Sequence, residues 1–229
     1  MPSPVVIVNP HSAGGQTRTR WPRLEGPIRE ALGHVHTVFT ERAGHATELA
    51  RAALRDGADL VIALGGDGTL NEVVNGFFQP GAGGQQEVVR PGAAFAVLPA
   101  GTGGDFPRTT GIPRGLAESA HAIAAARPRP VDVGRLTYLD HEGRTAVRHF
   151  INVASFGLGG LVDRYVNRSG KALGGKVSFY LASLRATLAW RNARVRITID
   201  DREPEEPIIE TTSPGCAVRS TPFRTSSAP

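Results

Sequence analysis

The chain has 229 residues, 40% of them hydrophobic and 21% charged. That is the make-up of a globular protein with one large domain, or one domain and a smaller partner. A single cysteine, Cys216, excludes an internal disulfide and a cysteine-based metal cluster. No apolar run reaches the length of a membrane span. The net charge of +5 is almost entirely arginine spread along the chain, with Lys171 and Lys176 the only lysines. Such spreading argues against a nucleic-acid stripe, which would cluster, and leaves anionic lipid as an acidic partner. No charged stretch leads into a long apolar segment at the N-terminus, so the expected setting is cytoplasmic, with peripheral visits to a membrane.

Strand and helix patterns alternate over residues 1–127. Val5 to Val8 reads as a short buried strand ending at the loop Asn9-Pro10-His11-Ser12-Ala13-Gly14-Gly15, and a helix is expected through Leu24, Ile28 and Leu32. Val35 to Thr40 reads as a strand, and Ala46 to Arg55 as an alanine-rich helix stopped by Gly57. Leu60 to Leu64 is an apolar strand running into Gly65-Gly66-Asp67-Gly68-Thr69-Leu70-Asn71-Glu72, where Leu70, Val73, Val74 and Phe77 begin a helical pattern. A glycine-lined turn from strand to helix offers backbone N–H groups, and about half a positive charge, to a phosphate chain. Residues 80–92 read as a flexible surface loop. Ala93 to Leu98 is a further strand, ending at Pro99-Ala100-Gly101-Thr102-Gly103-Gly104-Asp105-Phe106, and Leu116 to Ala126 a closing helix. Interleaving of this kind predicts a three-layer α/β/α domain with a parallel sheet. Ligands then sit at the carboxyl ends of the strands, where all three glycine-bearing loops and Thr40 fall.

Arg127-Pro128-Arg129-Pro130 marks a boundary. Residues 128–201 read as part of a β-rich, sandwich-like second domain. Val131 to Leu139 and Thr145 to Ser155 alternate as antiparallel strands would; Leu158 to Asn167 and Lys176 to Trp190 are helices, and Ala193 to Asp200 a strand. Residues 202–229, with five prolines, four serines and four threonines, cannot bury enough surface to offset ordering entropy and are expected to be disordered. The strand at Val195 to Ile199 lacks partners downstream, so the C-terminus reads as truncated or frame-altered.

Four segments, taken together, resemble the diacylglycerol kinase catalytic-domain family, and within it the bacterial soluble lipid kinases. They are Asn9-Pro10-His11-Ser12-Ala13-Gly14, Thr40 followed by Gly44-His45-Ala46, Gly65 to Val73, and Pro99 to Arg108. Val131-Asp132-Val133-Gly134 and Phe150 to Gly157 are similar to the opening of the family's second domain. Gly-Gly-Asp-Gly-Thr alone is shared with NAD kinases and phosphofructokinases; the Gly101 to Phe106 loop favours the lipid kinases. The resemblance implies transfer of the γ-phosphate of ATP, with Mg²⁺, to the hydroxyl of a diacylglycerol-like lipid at a membrane surface, and it allows a homodimer. It implies that Asn9, Ser12, Thr40, Gly66, Asp67, Gly68, Thr69, Asn71, Glu72 and Thr102 line the ATP side, with Asp67 and Asp105 as catalytic carboxylates.

Two departures from the family pattern bear on activity. Gly104 stands where the family usually has asparagine, and no Asp-Gly motif or acidic cluster follows Asp201 to supply the family's general base and metal ligands. Impaired turnover is therefore expected, and the alternatives are a catalytically dead nucleotide- or lipid-binding protein and an NAD kinase. Asp67 repels phosphate directly, so it works through Mg²⁺ or by fixing loop N–H groups. Thr69 either caps the following helix or donates to phosphate. Asp105 is either the acceptor-side carboxylate or a turn residue. His34 and His36 read as solvent-facing, and Trp190-Arg191 with Arg194 and Arg196 as a solvated basic face.

Overall fold

The computed structural model describes residues 3–100, 104–140, 142–151, 154, 158–169 and 175–190. Contacts divide the chain into two units: residues 1–135 with 148–152 lie in the first, and residues 136–147 with those from 153 to 220 in the second.

The first unit is built on a parallel sheet. Its strands are β1 (Val5–Val8), β2 (His36–Phe39), β3 (Leu60–Gly65) and a later strand at Ala94–Pro99, in the order β2, β1, β3, then Ala94–Pro99. Val5 to Val8 pair with His36 to Phe39 on one side and with Val61 to Leu64 on the other. The central strands are apolar at every position because helices cover both faces. Val5, Ile7, Val61 and Ala63 face α2 (His45–Arg55) and α3 (Asp67–Gly76), meeting Ala46, Ala50, Leu54, Leu70, Val73 and Val74. Val6, Val8, Ile62 and Leu64 face α1 (Gln16–Leu32) and the helix Leu116–Ala125, meeting Ile28 and Ala120. The three-layer α/β/α architecture expected from the alternating pattern is therefore present.

One expected helix carries a backbone cost, and one segment departs from the expected elements. Helix α1 runs through Pro22 and Pro27, each of which costs roughly 3 kcal/mol inside a helix. Trp21, Leu24, Ile28 and Leu32 recur on one side and join the core on that face of the sheet, and their burial outweighs the lost backbone bonds. The segment expected as a loop from residue 80 instead holds two three-residue strands, β4 (Phe78–Pro80) and β5 (Gln86–Val88), paired antiparallel. The remaining elements of this unit are β6 (Ala94–Pro99), α4 (Asp105–Thr110) and α5 (Leu116–Ala125).

Strands β7 (Gly134–Leu139) and β8 (Thr145–Phe150) form a two-stranded sheet. The Asp140 carboxylate closes its turn by accepting the N–H groups of Glu142 and Arg144 at 2.8 and 2.9 Å. In the second unit α6 (Leu158–Ser169) packs on α7 (Gly175–Ala189) around Val162, Ala182 and Ala186. The expected strand at Ala193 to Asp200 and the segment 202–229 lie outside the described residues.

Candidate nucleotide site at the carboxyl ends of the sheet

Parallel pairing brings the ends of four strands into one row. The N–H of Asn9 donates to Leu64 O at 3.0 Å, that of Thr40 to Val8 O at 2.9 Å, and that of Ala100 to Gly65 O at 3.0 Å. The loops after β1, β3 and β6 thus rise side by side, with Thr40 beside the first. A half-open cavity of about 310 Å³ lies at the opposite ends of the strands, lined mainly by apolar side chains such as Val5, Val38, Leu49 and Ala53. It offers little to a phosphate; the chemistry gathers at the carboxyl ends.

Side chains cross-link the loops there. Asn9 Nδ2 donates to Thr69 Oγ1 at 2.9 Å, while Asn9 Oδ1 accepts the His11 N–H at 2.9 Å. Ser12 is buried; its hydroxyl donates to Asn9 O at 2.8 Å and bonds the hydroxyl of Thr17. After it, Ala13, Gly14 and Gly15 all have positive φ, at 53°, 70° and 90°. A non-glycine residue held in that region is strained by about 1 kcal/mol or more, and strain of this kind gathers at ligand-binding loops. Thr40 and Thr69 are buried, each about 6% exposed.

Helix α3 starts without a cap. Its N-cap is Gly66, with no side-chain bond to the helix, and the first bond across the cap runs from Leu70 N–H to Gly66 O at 3.1 Å. The N–H groups of Asp67, Gly68 and Thr69 have no partner among the described residues. Thr69, one of two roles for which was capping, instead accepts from Asn9. The glycines around this turn answer to different constraints. A Cβ on Gly65 would lie 2.7 Å from Thr69 Cβ. At Gly66 and Gly68 a Cβ would meet nothing within 4 Å, and φ is not positive at either. The fold therefore requires glycine at 65 but leaves room for a Cβ at 66 and 68, in the same turn as the N–H groups without a partner among the described residues.

The acidic residues tie neighbouring segments together. Asp67 Oδ2 accepts the N–H of Gly104 at 3.0 Å and of Asp105 at 3.4 Å, linking the β3 loop to the start of α4; Asp67 Oδ1 has no partner among the described residues. Gly104 sits at φ 127°, a conformation open to glycine and strained for asparagine. Asp105 is exposed and paired with Arg108 at 2.9 Å. Glu72 turns toward α2: its two oxygens accept the N–H groups of Gly44 at 2.9 Å and Ala46 at 3.2 Å, and its backbone carbonyl accepts from Thr47 Oγ1 at 2.8 Å. It caps a helix N-terminus, where a carboxylate is favoured. Asn71 is half-buried beside it. Thr102 lies outside the described residues, and no three metal-ligating side chains come together among the described ones. Of the expected site residues, Ser12 and Thr69 are each bonded to Asn9, while Asp67 is bonded to the backbone of Asp105.

A family model for the diacylglycerol kinase catalytic domain matches residues 3–136. The chain belongs to that family. Among its relatives, a diacylglycerol kinase of Bacillus subtilis is 32% identical over 86% of this chain and 59% of its own length. A protein of Chromohalobacter salexigens named "Probable lipid kinase YegS-like" is 32% identical over 80% of this chain and 54% of its own. Among solved structures, a diacylglycerol kinase from Bacillus anthracis str. Sterne superposes with a TM-score of 0.58 at 29% identity, over 89% of this chain and 61% of that one. The chain thus spans less than two thirds of the length of these relatives. Membership of a family whose listed relatives are named as diacylglycerol or lipid kinases favours the lipid kinase reading over the NAD kinase one.

Residues outside the expected set also matter to the site. Thr17 fixes the Ser12 hydroxyl. Asn75 Nδ2 donates to His149 O and Asn75 Oδ1 accepts the His149 N–H, both at 2.9 Å, so α3 holds the end of β8. An asparagine inside a helix is a poor helix former, and that local misfit was the signal available in the sequence.

Proposed function

We propose that this chain is an ATP-dependent lipid kinase that transfers the γ-phosphate to the hydroxyl of a diacylglycerol-like lipid at a membrane surface. One observation carries the reading: at the start of α3 three N–H groups have no partner among the described residues, and a Cβ at Gly66 or Gly68 would meet nothing within 4 Å. A phosphate chain fits that space, because it supplies acceptor oxygens and negative charge at a helix N-terminus. In this reading Asn9 and Ser12 hold the loop after β1 against Thr69, and Thr40, Asn71 and Thr102 line the same side. Mg²⁺, when bound with the triphosphate, neutralises charge on the phosphate oxygens. Asp67 Oδ1, without a partner among the described residues, is a protein oxygen available to it, while Oδ2 keeps the α4 start in place. Glu72 contributes by fixing the start of α2 behind Thr40, and the exposed Asp105 belongs to the acceptor side. The general base is not assigned to any described residue.

The test is incubation of the chain with γ-labelled ATP, Mg²⁺ and mixed lipid micelles, beside Asp67→Ala. Label in the lipid, lost in the variant, is the expected result. ATP binding without transfer leaves a nucleotide-binding protein. No ATP-dependent rise in melting temperature at millimolar ATP overturns the nucleotide site itself.

A further inference from the structure

Both peptide planes that flank Thr40 are pinned, one by the sheet and one by an imidazole. The Thr40 N–H donates to Val8 O at 2.9 Å. The N–H of the next residue, Glu41, donates to His45 Nδ1 at 3.1 Å. That second amide belongs to the peptide joining Thr40 to Glu41, so the imidazole holds ψ of Thr40. The χ1 of a threonine is stiff and depends on its backbone, so the two bonds together set where the Thr40 hydroxyl points. Thr40 is about 6% exposed, and its hydroxyl has no partner among the described residues. Buried polar side chains are normally bonded, and this one stands at the carboxyl ends of a parallel sheet, where ligands sit.

Little else holds that turn among the described residues. Glu41, Arg42 and Ala43 are exposed, so no apolar burial fixes them. The pair between Arg42 and Glu48 is exposed on both sides, and such pairs contribute little. The His45 N–H donates to Arg42 O at 3.3 Å, longer than an ordinary bond of this kind. His45 itself is well anchored, because the N–H groups of its neighbours Gly44 and Ala46 donate to the two oxygens of Glu72 on α3. Accepting from a backbone amide requires a lone pair on Nδ1, which places the ring proton on Nε2.

We infer that His45 is a positioning residue for the nucleotide: through the Glu41 N–H its Nδ1 holds the Thr40 hydroxyl in place for the ligand, without touching the ligand itself. The inference rests on the nucleotide reading above and adds to it a side chain which that reading leaves unused.

The experiment is titration calorimetry of the full chain with MgATP, for wild type, His45→Asn, His45→Gln and His45→Leu. Asparagine Oδ1 takes the place of Nδ1, whereas the glutamine amide takes that of Nε2. The asparagine variant should bind within about twofold of wild type. The glutamine and leucine variants should bind about three- to tenfold more weakly, the worth of one hydrogen bond. In a Thr40→Val background His45→Leu should cost less than about twofold more, because two residues acting as one unit are not additive. Equal loss in both backgrounds overturns the inference. A leucine variant that melts lower but keeps wild-type affinity assigns His45 to fold stability alone and overturns it too. Full binding by the glutamine variant with loss in the asparagine one makes His45 a direct contact, which also overturns the positioning role. Absence of binding by wild type overturns the nucleotide reading together with the inference, whereas wild-type binding that His45→Leu leaves intact overturns the inference alone.

Discussion

Gly65 and Gly68 stand three residues apart and serve different ends. A methyl group at Gly65 would strike the Thr69 side chain, so Gly65→Ala should destabilise the first unit by about 1–3 kcal/mol, read by denaturant unfolding. A methyl group at Gly68 enters open space at an ordinary helical φ. Gly68→Ala should therefore leave the free protein unchanged or stabilise it by about 0.4–1 kcal/mol, and should abolish the ATP-induced rise in melting temperature. A destabilised Gly68→Ala protein would sink the assignment of that space to a ligand. Glu72 offers a second contrast at this scale. In Glu72→Gln the amide must set a donor against one of two backbone N–H groups, at a cost of about 1–3 kcal/mol. A Glu72 that caps α2 lowers stability when changed; one that served only as an ATP ligand would lower affinity and leave the melting temperature of the free protein alone.

At the level of elements, α3 is the hub, reaching the β1 loop through Thr69, α2 through Glu72, α4 through Asp67 and β8 through Asn75. Asn75→Ala removes both bonds to the His149 backbone and should cost about 2–3 kcal/mol, seen as a lower unfolding midpoint. His149 itself is buried and stacked on Phe78, with ring centres 3.9 Å apart. Burial, helped by the nearby positive charge of Arg135, lowers its pKa to about 4. The ring stays neutral in the fold while the unfolded chain takes up a proton near pH 6.5. Stability should therefore be full above about 6.5 and fall as pH drops toward 4, losing about 1–2 kcal/mol between pH 7 and pH 5. His149→Phe keeps the stacked ring and should flatten that slope in melting curves taken across the same range. The sheet was legible in the sequence because strands covered on both faces are continuous apolar runs between glycine loops. The strands Phe78–Pro80 and Gln86–Val88 were not, since three residues are too few to show a period of two. Glu72's partners were hidden for another reason: they lie 26 and 28 residues away, and only the folded packing of α2 on α3 brings them within reach.

For the molecule as a whole, ligand binding and folding are linked. A nucleotide that binds only the folded first unit, at a hundred times its dissociation constant, adds about 2.7 kcal/mol. For a chain of this length that amounts to roughly 5–10 °C in melting temperature, and scanning with and without MgATP measures it; Asp67→Ala should lose the shift. The position of β1 has a consequence during synthesis. Strand β1 (Val5–Val8) leaves the ribosome before β2 and β3, yet lies between them in the sheet. It cannot be enclosed until Leu64 has emerged, about 3–12 s later at ordinary elongation rates. For those seconds the nascent chain carries an apolar strand whose β3 edge is open, and until β2 emerges both edges are. The time at which this protein most needs a chaperone is therefore set by the order of its strands, before any nucleotide can help it.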